Sequence, residues 1–264
     1  MNSFGKTYNN VSFSDILEKY DSYYNDLLNH KVLVFKNIDF GDKSVSQSLG
    51  SLFSKEEDVK IYDKNFDDNF EYFTEKNGKL PSKDDYLVRW QTDNCSDVEP
   101  SNISCIYMNS VGDSAGLSET KWVNLENVYN MISEEDMSFI LKIKFRWLDE
   151  GLAKFPLQRK DIGQQDSHPS WRIHPETGKP SIFYGGLNTL GKDNDKWQKH
   201  IYKLRDTFFE DKLNIFSLTW EQKDLVIWDN RCTAYSSMGG FNAGQIKFTK
   251  VEAGHSKPIN GLEQ

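Results

Sequence analysis

Apolar residues recur through the N-terminal part of the chain in two different rhythms. Ile16, Tyr20, Tyr23 and Leu27 stand three or four positions apart, the interval that puts side chains on one face of a helix. They predict an amphipathic helix over residues 12–29, started by Ser14 or Asp15, with Glu18 closing a capping box on Asp15. Val32-Leu33-Val34-Phe35 is instead an unbroken apolar run of strand length, ended by Lys36-Asn37. A second helix is expected over Val45–Phe53, where Val45, Leu49, Leu52 and Phe53 share a face. Residues 54–88 then lose the rhythm: they are charged and weakly patterned, with Asn77-Gly78 and Pro81 as turn signals. So long a stretch without pattern is expected to be a loop, and loops of that kind often lie as flaps over functional sites.

From Tyr86 onward short apolar runs dominate. They predict strands over Tyr86–Trp90, Ile103–Met108, Lys142–Trp147, Ser181–Tyr184, Asn214–Thr219, Leu225–Trp228 and Gln245–Val251. Between them lie a helix carrying Leu125, Val128, Tyr129 and Ile132, a second opened by the capping box Ser133-Glu134-Glu135-Asp136 and running to about Leu141, and a surface helix marked by Trp197, Ile201, Leu204 and Phe208. Gly112–Glu119 reads as a polar loop and Pro175-Glu176-Thr177-Gly178 as a turn. No repeat, low-complexity tract or domain-scale linker interrupts the pattern. One α+β domain over residues 1–264, with a β-rich core and a flap insertion around 54–88, is the economical architecture.

Composition narrows the function classes. The 264 residues include 7 Trp, 12 Tyr and 17 Phe, enough apolar surface for a core despite the high charge content. A formal net charge of −8, without a Lys/Arg-rich run, gives no electrostatic pull toward nucleic acid or anionic membrane. The polar start Met1-Asn2-Ser3-Phe4-Gly5-Lys6 lacks the apolar region of a signal peptide, and no apolar run is long enough to span a bilayer. Cys95, Cys105 and Cys232 are an odd number without CxxC spacing, which points to free thiols in a reducing, cytoplasmic setting. A small-molecule ligand or substrate is the expected partner, and assembly into an oligomer is left open.

Five segments in order carry a more specific signal: Val32-Leu33-Val34-Phe35-Lys36-Asn37, Trp90-Gln91-Thr92-Asp93-Asn94, Gly116-Leu117-Ser118-Glu119-Thr120-Lys121-Trp122, His174-Pro175-Glu176-Thr177-Gly178, and Trp228-Asp229-Asn230-Arg231 followed three residues later by Tyr235. Together they resemble the TauD/TfdA family of iron(II)- and 2-oxoglutarate-dependent dioxygenases, over most of the chain from Val32. The second is similar to the family's W-H-x-D segment, the fourth to its H-P-x-T-G turn and the fifth to its W-D-N-R-x-x-x-H. The resemblance implies a double-stranded β-helix, or jelly roll, with helices packed outside.

The family's chemistry needs two imidazoles and one carboxylate around iron, leaving positions for 2-oxoglutarate and oxygen. The H-x-D spacing works because residues i and i+2 of a strand share a face. In this chain Asp93 keeps the carboxylate, while Gln91 and Tyr235 stand where the resemblance places the imidazoles. An amide oxygen is a poor iron(II) donor, and a phenol ordinarily holds its proton to a pKa of about 10. Thr120 matches the family's 2-oxoglutarate-contacting Thr. The family's late Arg, which pairs with the far carboxylate of that molecule, has no counterpart in Ala243–Lys250. Gln245 or Ile246 falls nearest its position, and Lys247 offers a point charge without the planar fork.

The candidate site is therefore Tyr235, Asp93 and Gln91 at the centre, with these same three as the metal ligands if a metal is bound. Thr120, Arg231, Gln245 and Lys247 are the cofactor-side candidates, and Trp90 and Asn94 the substrate-side ones. Plainer roles stand beside these: Asp229 and Arg231 as buried hydrogen-bonding groups at a strand end, Thr120 as a turn cap, His174 as structural, and His168 as a loop residue. Cys95 and Cys232 are read as thiols rather than replacement ligands. Gln91 and Tyr235, if both face inward, can pair with each other or with a bound molecule, and Asp93 can accept from Asn94, Thr92 or Tyr235. Three functions follow. The first is a TauD-like protein without iron or 2-oxoglutarate, binding a small molecule or running an iron-independent reaction with Tyr235 as acid/base or hydrogen-bonding group. The second is an oxygenase with unusual ligands acting on a small polar metabolite, and the third a non-catalytic partner subunit.

Overall fold

The computed structural model describes residues 3–65, 90–95, 97–112, 119–140, 144–147, 168–184, 189–190, 211–239 and 246–259. Strand numbering follows the chain. One sheet of six strands runs in the order β1 (Lys6–Tyr8), β2 (Val32–Phe35), β13 (Leu225–Asp229), β5 (Ser101–Ser110), β15 (Lys247–His255) and β3 (Lys60–Asn65). A second sheet of four runs β12 (Ile215–Thr219), β6 (Glu119–Asn124), β14 (Thr233–Gly239) and β4 (Trp90–Gln91). Smaller pairings join Trp171–Ile173 to Pro180–Ile182, and Lys144–Trp147 to both Thr189–Leu190 and His168–Pro169.

The two large sheets face each other, and strand alternation explains how both their faces are buried. On the six-stranded sheet Val32, Val34, Val226, Trp228, Ile106, Met108 and Phe248 point inward, where they meet Trp122, Leu218 and Tyr235 of the four-stranded sheet. The alternate positions Leu33, Phe35, Ile227, Cys105 and Val251 point the other way, onto α1 (Phe13–Glu18), α2 (Tyr20–His30) and α3 (Val45–Leu52). Behind the four-stranded sheet a third apolar layer gathers Trp90, Val123 and Ala234 with Leu125 and Val128 of α4 (Leu125–Met131), together with Trp171 and Ile182. This is the mixed α+β, jelly-roll type of architecture that the motif order implies. No helix among the described residues is long and apolar enough to cross a membrane.

Several local expectations need correction. The single helix over 12–29 is two, separated at Lys19, and its cap is Ser12. The Ser12 side chain accepts from the Asp15 backbone N–H while the Asp15 carboxylate accepts from the Ser12 N–H, so the capping box lies three residues upstream of the expected one. The stretch expected to be a loop begins with β3, an edge strand along β15 whose charged Lys60 suits an exposed edge; residues 66–89, including Tyr86–Arg89, lie outside the described residues. The strand β6 and the strand β14 that carries Tyr235 were not anticipated, nor was His168 in a strand pairing. The helix over Val45–Leu52 and the one opened by Ser133, α5 (Glu134–Ile140), match the expectation to within a residue or two. The surface helix around Trp197–Phe208 falls outside the described residues.

Candidate functional site

The two motif halves, far apart in sequence, are sewn together by polar contacts. The Asp93 backbone N–H donates to Asn230 Oδ1 and Asn230 Nδ2 donates back to the Asp93 carbonyl, each at 2.9 Å. Thr92 Oγ1 donates to the Thr233 carbonyl at 3.1 Å. In the sheet Tyr235 lies directly opposite Gln91, and directly opposed residues project to the same face. That face is the interior between the sheets.

At this point six side chains form one chain of hydrogen bonds. Gln91 Nε2 donates to the Tyr235 hydroxyl at 2.8 Å, and that hydroxyl donates to Asp93 Oδ1 at 2.8 Å. Lys250 Nζ reaches the same Oδ1 at 2.7 Å and Glu252 Oε1 at 3.0 Å. Asn94 Nδ2 closes the far end on Glu252 Oε2 at 2.9 Å. Asp93 is 5% exposed, and its second oxygen, Oδ2, is enclosed with no hydrogen-bond partner. Burial and the neighbouring Asp93 charge both push the Tyr235 phenol well above its ordinary value. Burial opposes the Lys250 charge, yet Asp93, Tyr235 and Glu252 together hold it protonated beyond the usual lysine range.

The expected residues divide cleanly. Gln91, Asp93, Tyr235 and Asn94 are brought together. Trp90, on the other face of its strand, packs instead with Val123, Leu125 and Trp171 in the outer core. Thr120 is buried and its Oγ1 accepts from the Trp220 indole N–H at 2.8 Å. Gln245 lies outside the described residues. Lys247 is exposed, because the inward positions of β15 are Phe248, Lys250 and Glu252, at the strand's period of two. Lys250 and Glu252 were therefore missed although the sequence held a signal: counting by twos from the apolar Phe248 reaches both.

Arg231 belongs to a second cluster. Its Nε and Nη2 donate to the two oxygens of Asp229 at 2.8 and 2.9 Å, and Nη1 to Glu176 Oε1 at 2.6 Å. Asp229 Oδ2 also accepts from His174 Nε2 at 2.8 Å. His174 Nδ1 accepts the backbone N–H groups of Glu176 and Thr177, both at 3.2 Å, so the proton sits on Nε2. Gly178 completes that turn at φ +67°, a conformation that favours glycine. Burial works against the Asp229 charge, but Arg231 and the His174 N–H outweigh it and hold the carboxyl far below the usual range. Arg172 lies with its guanidinium 4.4 Å from the centre of the Phe183 ring, donates to the Asn230 carbonyl at 2.7 Å, and is lowered to about 10 by burial. His174, Asp229 and Cys232 fall within 4.8 Å of one another, but both His174 nitrogens and both Asp229 oxygens are already bonded, which makes this group a scaffold. Cys232 and Cys105 are fully enclosed and burial pushes both thiols up. Cys95, also outside any disulfide, belongs to the outer core with Trp90.

The double-sheet core is of the jelly-roll type found in TauD-type dioxygenases. The family model described as taurine catabolism dioxygenase TauD, TfdA family matches residues 2–247. The chain belongs to that family. It is 25% identical over 236 residues to a protein named alkylsulfatase from Acinetobacter baylyi, covering 81% of this chain and 70% of that one. A taurine dioxygenase from Burkholderia xenovorans superposes with a TM-score of 0.72 at 15% identity, covering 99% of this chain and 91% of that one. A structure of AAD-2 in complex with Mn(II) and N-oxalylglycine gives 0.72 at 14% identity, covering 98% and 97%.

Proposed function

We propose that this chain is a small-molecule-binding member of the family whose central site works without iron, the ammonium of Lys250 standing where a metal cation would be held. The observation that carries it is the 2.7 Å contact between Lys250 Nζ and Asp93 Oδ1. The one carboxylate left from the ligand set is thereby neutralised from within the chain. The other two positions fit iron(II) no better. Gln91 presents an amide N–H to Tyr235, and Tyr235 retains its proton and donates it to Asp93. A phenol held protonated is a hydrogen-bond donor, not a metal ligand. Thr120, the family's 2-oxoglutarate contact by resemblance, is engaged by Trp220.

In an iron-free site Tyr235 and Asp93 act as the polar groups that orient a ligand, with Gln91 and Lys250 fixing them. The relative's name, alkylsulfatase, suggests an anionic substrate for that protein. Here the nearest described cation is held between Asp93 and Glu252, which does not suit the same group at this position. Anaerobic calorimetric titration with iron(II), alone and with 2-oxoglutarate, tests the proposal. The expected result is no saturable binding in either case. One equivalent of iron whose affinity tightens with 2-oxoglutarate would overturn it.

A further inference from the structure

The central site carries more carboxylate than cation. Among the described residues, Asp93 and Glu252 share one ion-pair partner, the ammonium of Lys250, beside a phenol that donates to Asp93. A buried carboxylate oxygen ordinarily collects donors. Asp93 Oδ1 has two, from Tyr235 and Lys250, whereas Oδ2 has none. A second enclosed polar atom without a partner, Ser104 Oγ, lies on the same interior face. Ser104 is opposite Trp228 on one side and opposite Glu252 on the other, in the sheet register. Trp228 in turn has its ring 5.3 Å from that of Tyr235. The wall therefore offers an unfilled carboxylate acceptor, a hydroxyl beside a second carboxylate, and aromatic faces.

From this geometry we infer that the site takes a small organic ammonium, a protonated primary amine on a short carbon chain. Its N–H groups would supply the donor that Asp93 Oδ2 lacks, its charge would complete the balance of two carboxylates with two cations, and its carbon chain would lie against Trp228 and Tyr235, where a cation also gains from the ring faces. An uncharged alcohol supplies the donor but not the charge. An anion is repelled by both carboxylates unless Lys250 is pulled away from them. The inference presupposes the iron-free site proposed above and names its ligand class.

The test uses the intact chain and three probes that share an ethyl group: ethylammonium chloride, ethanol and sodium ethyl sulfate, titrated at constant ionic strength and followed by tryptophan fluorescence and calorimetry. Ethylammonium is expected to saturate with an affinity roughly tenfold or more above that of ethanol, the range of one charge-assisted hydrogen bond, and ethyl sulfate to give no saturable signal. Asp93→Asn should abolish the response. Because that change also disturbs Lys250, Ser104→Ala serves as the milder variant, expected to weaken ethylammonium severalfold while leaving the thermal melt in place. Equal responses to ethylammonium and ethanol, a preference for ethyl sulfate, or no response at all (ordered water only) overturns the inference. None of those outcomes touches the iron-free proposal, which fails only on iron uptake in the separate metal titration.

Discussion

Asp229 and Asp93 are two buried carboxylates at either end of the same clamp, and the fold treats them oppositely. Asp229 is saturated: Arg231 and His174 fill both oxygens, and the His174 ring is itself fixed by two backbone N–H groups. Asp93 is half satisfied, with one oxygen shared by a phenol and an ammonium and the other left bare. Asn230 joins them, since its side chain mirrors the Asp93 backbone while its neighbour Asp229 anchors the scaffold. A complete set of partners marks a group that holds the structure together. The incomplete set at Asp93 coincides with the ligand site proposed above, although Asp224 Oδ1 and the indole N–H groups of Trp122 and Trp228 are also enclosed without partners.

The sharpest way to break this contrast is to remove a partner on the saturated side. Arg231→Ala leaves Asp229 and Glu176 without their shared cation, and a broken buried ion pair costs about 3–5 kcal/mol. The expected outcome is a large fall in the urea midpoint, or loss of soluble protein. On the other side the prediction is a gain. Returning both imidazoles with Gln91→His and Tyr235→His is not expected to create a metal site while Lys250 remains, because its ammonium repels a dication only a few ångströms away. Adding Lys250→Ala should raise Mn(II) affinity by roughly tenfold or more over the double variant, read by electron paramagnetic resonance of the free ion. Equal affinities would show that Lys250 does not stand in the cation's place.

Smaller effects sharpen the same picture. Tyr235→Phe removes one donor from Asp93 and one acceptor from Gln91, at a cost of about 1 kcal/mol, measured by denaturant unfolding. The pH dependence should divide between the two carboxylate sites. Asp229 is held below its unfolded value of about 3.9, so its contribution is present above that pH and is lost as the pH falls through the lower folded value. Lys250 and Tyr235 are both raised, so theirs is present below their unfolded values of about 10 and disappears as the pH climbs through the higher folded ones. Thermal melts above about pH 10 should therefore lose stability less steeply in Lys250→Met than in the parent chain.

Much of the fold was legible because its strands are chemically extreme. Val32–Phe35 and Leu225–Asp229 are buried on both faces, and continuous apolar runs of that length have few other uses. The edge strand Lys60–Asn65 hid in its own charges, and Glu119–Asn124 hid because Thr120 and Trp122 face one core while Val123 faces another. At the site, Gln91, Asp93 and Tyr235 could be found by motif spacing, and the pairing of Gln91 with Tyr235 followed once both were set facing inward. Motif spacing within Ala243–Lys250 points to Gln245, Ile246 and Lys247 rather than to Lys250, and Glu252 lies past that stretch. The alternation that would have exposed them starts at Phe248, just past a register shift between Lys247 and Phe248. Trp90 packs in the outer core because it is one residue along the strand from Gln91, on the opposite face.

The central claim is that Lys250, and not a metal, answers the charge of Asp93. Crystals soaked anaerobically with iron(II) and 2-oxoglutarate, with diffraction recorded on either side of the iron absorption edge, test it most directly. The account predicts no anomalous peak beside Asp93 and the Lys250 ammonium still within hydrogen-bond distance of Oδ1. An iron peak ligated by Asp93, with Lys250 displaced, would contradict it.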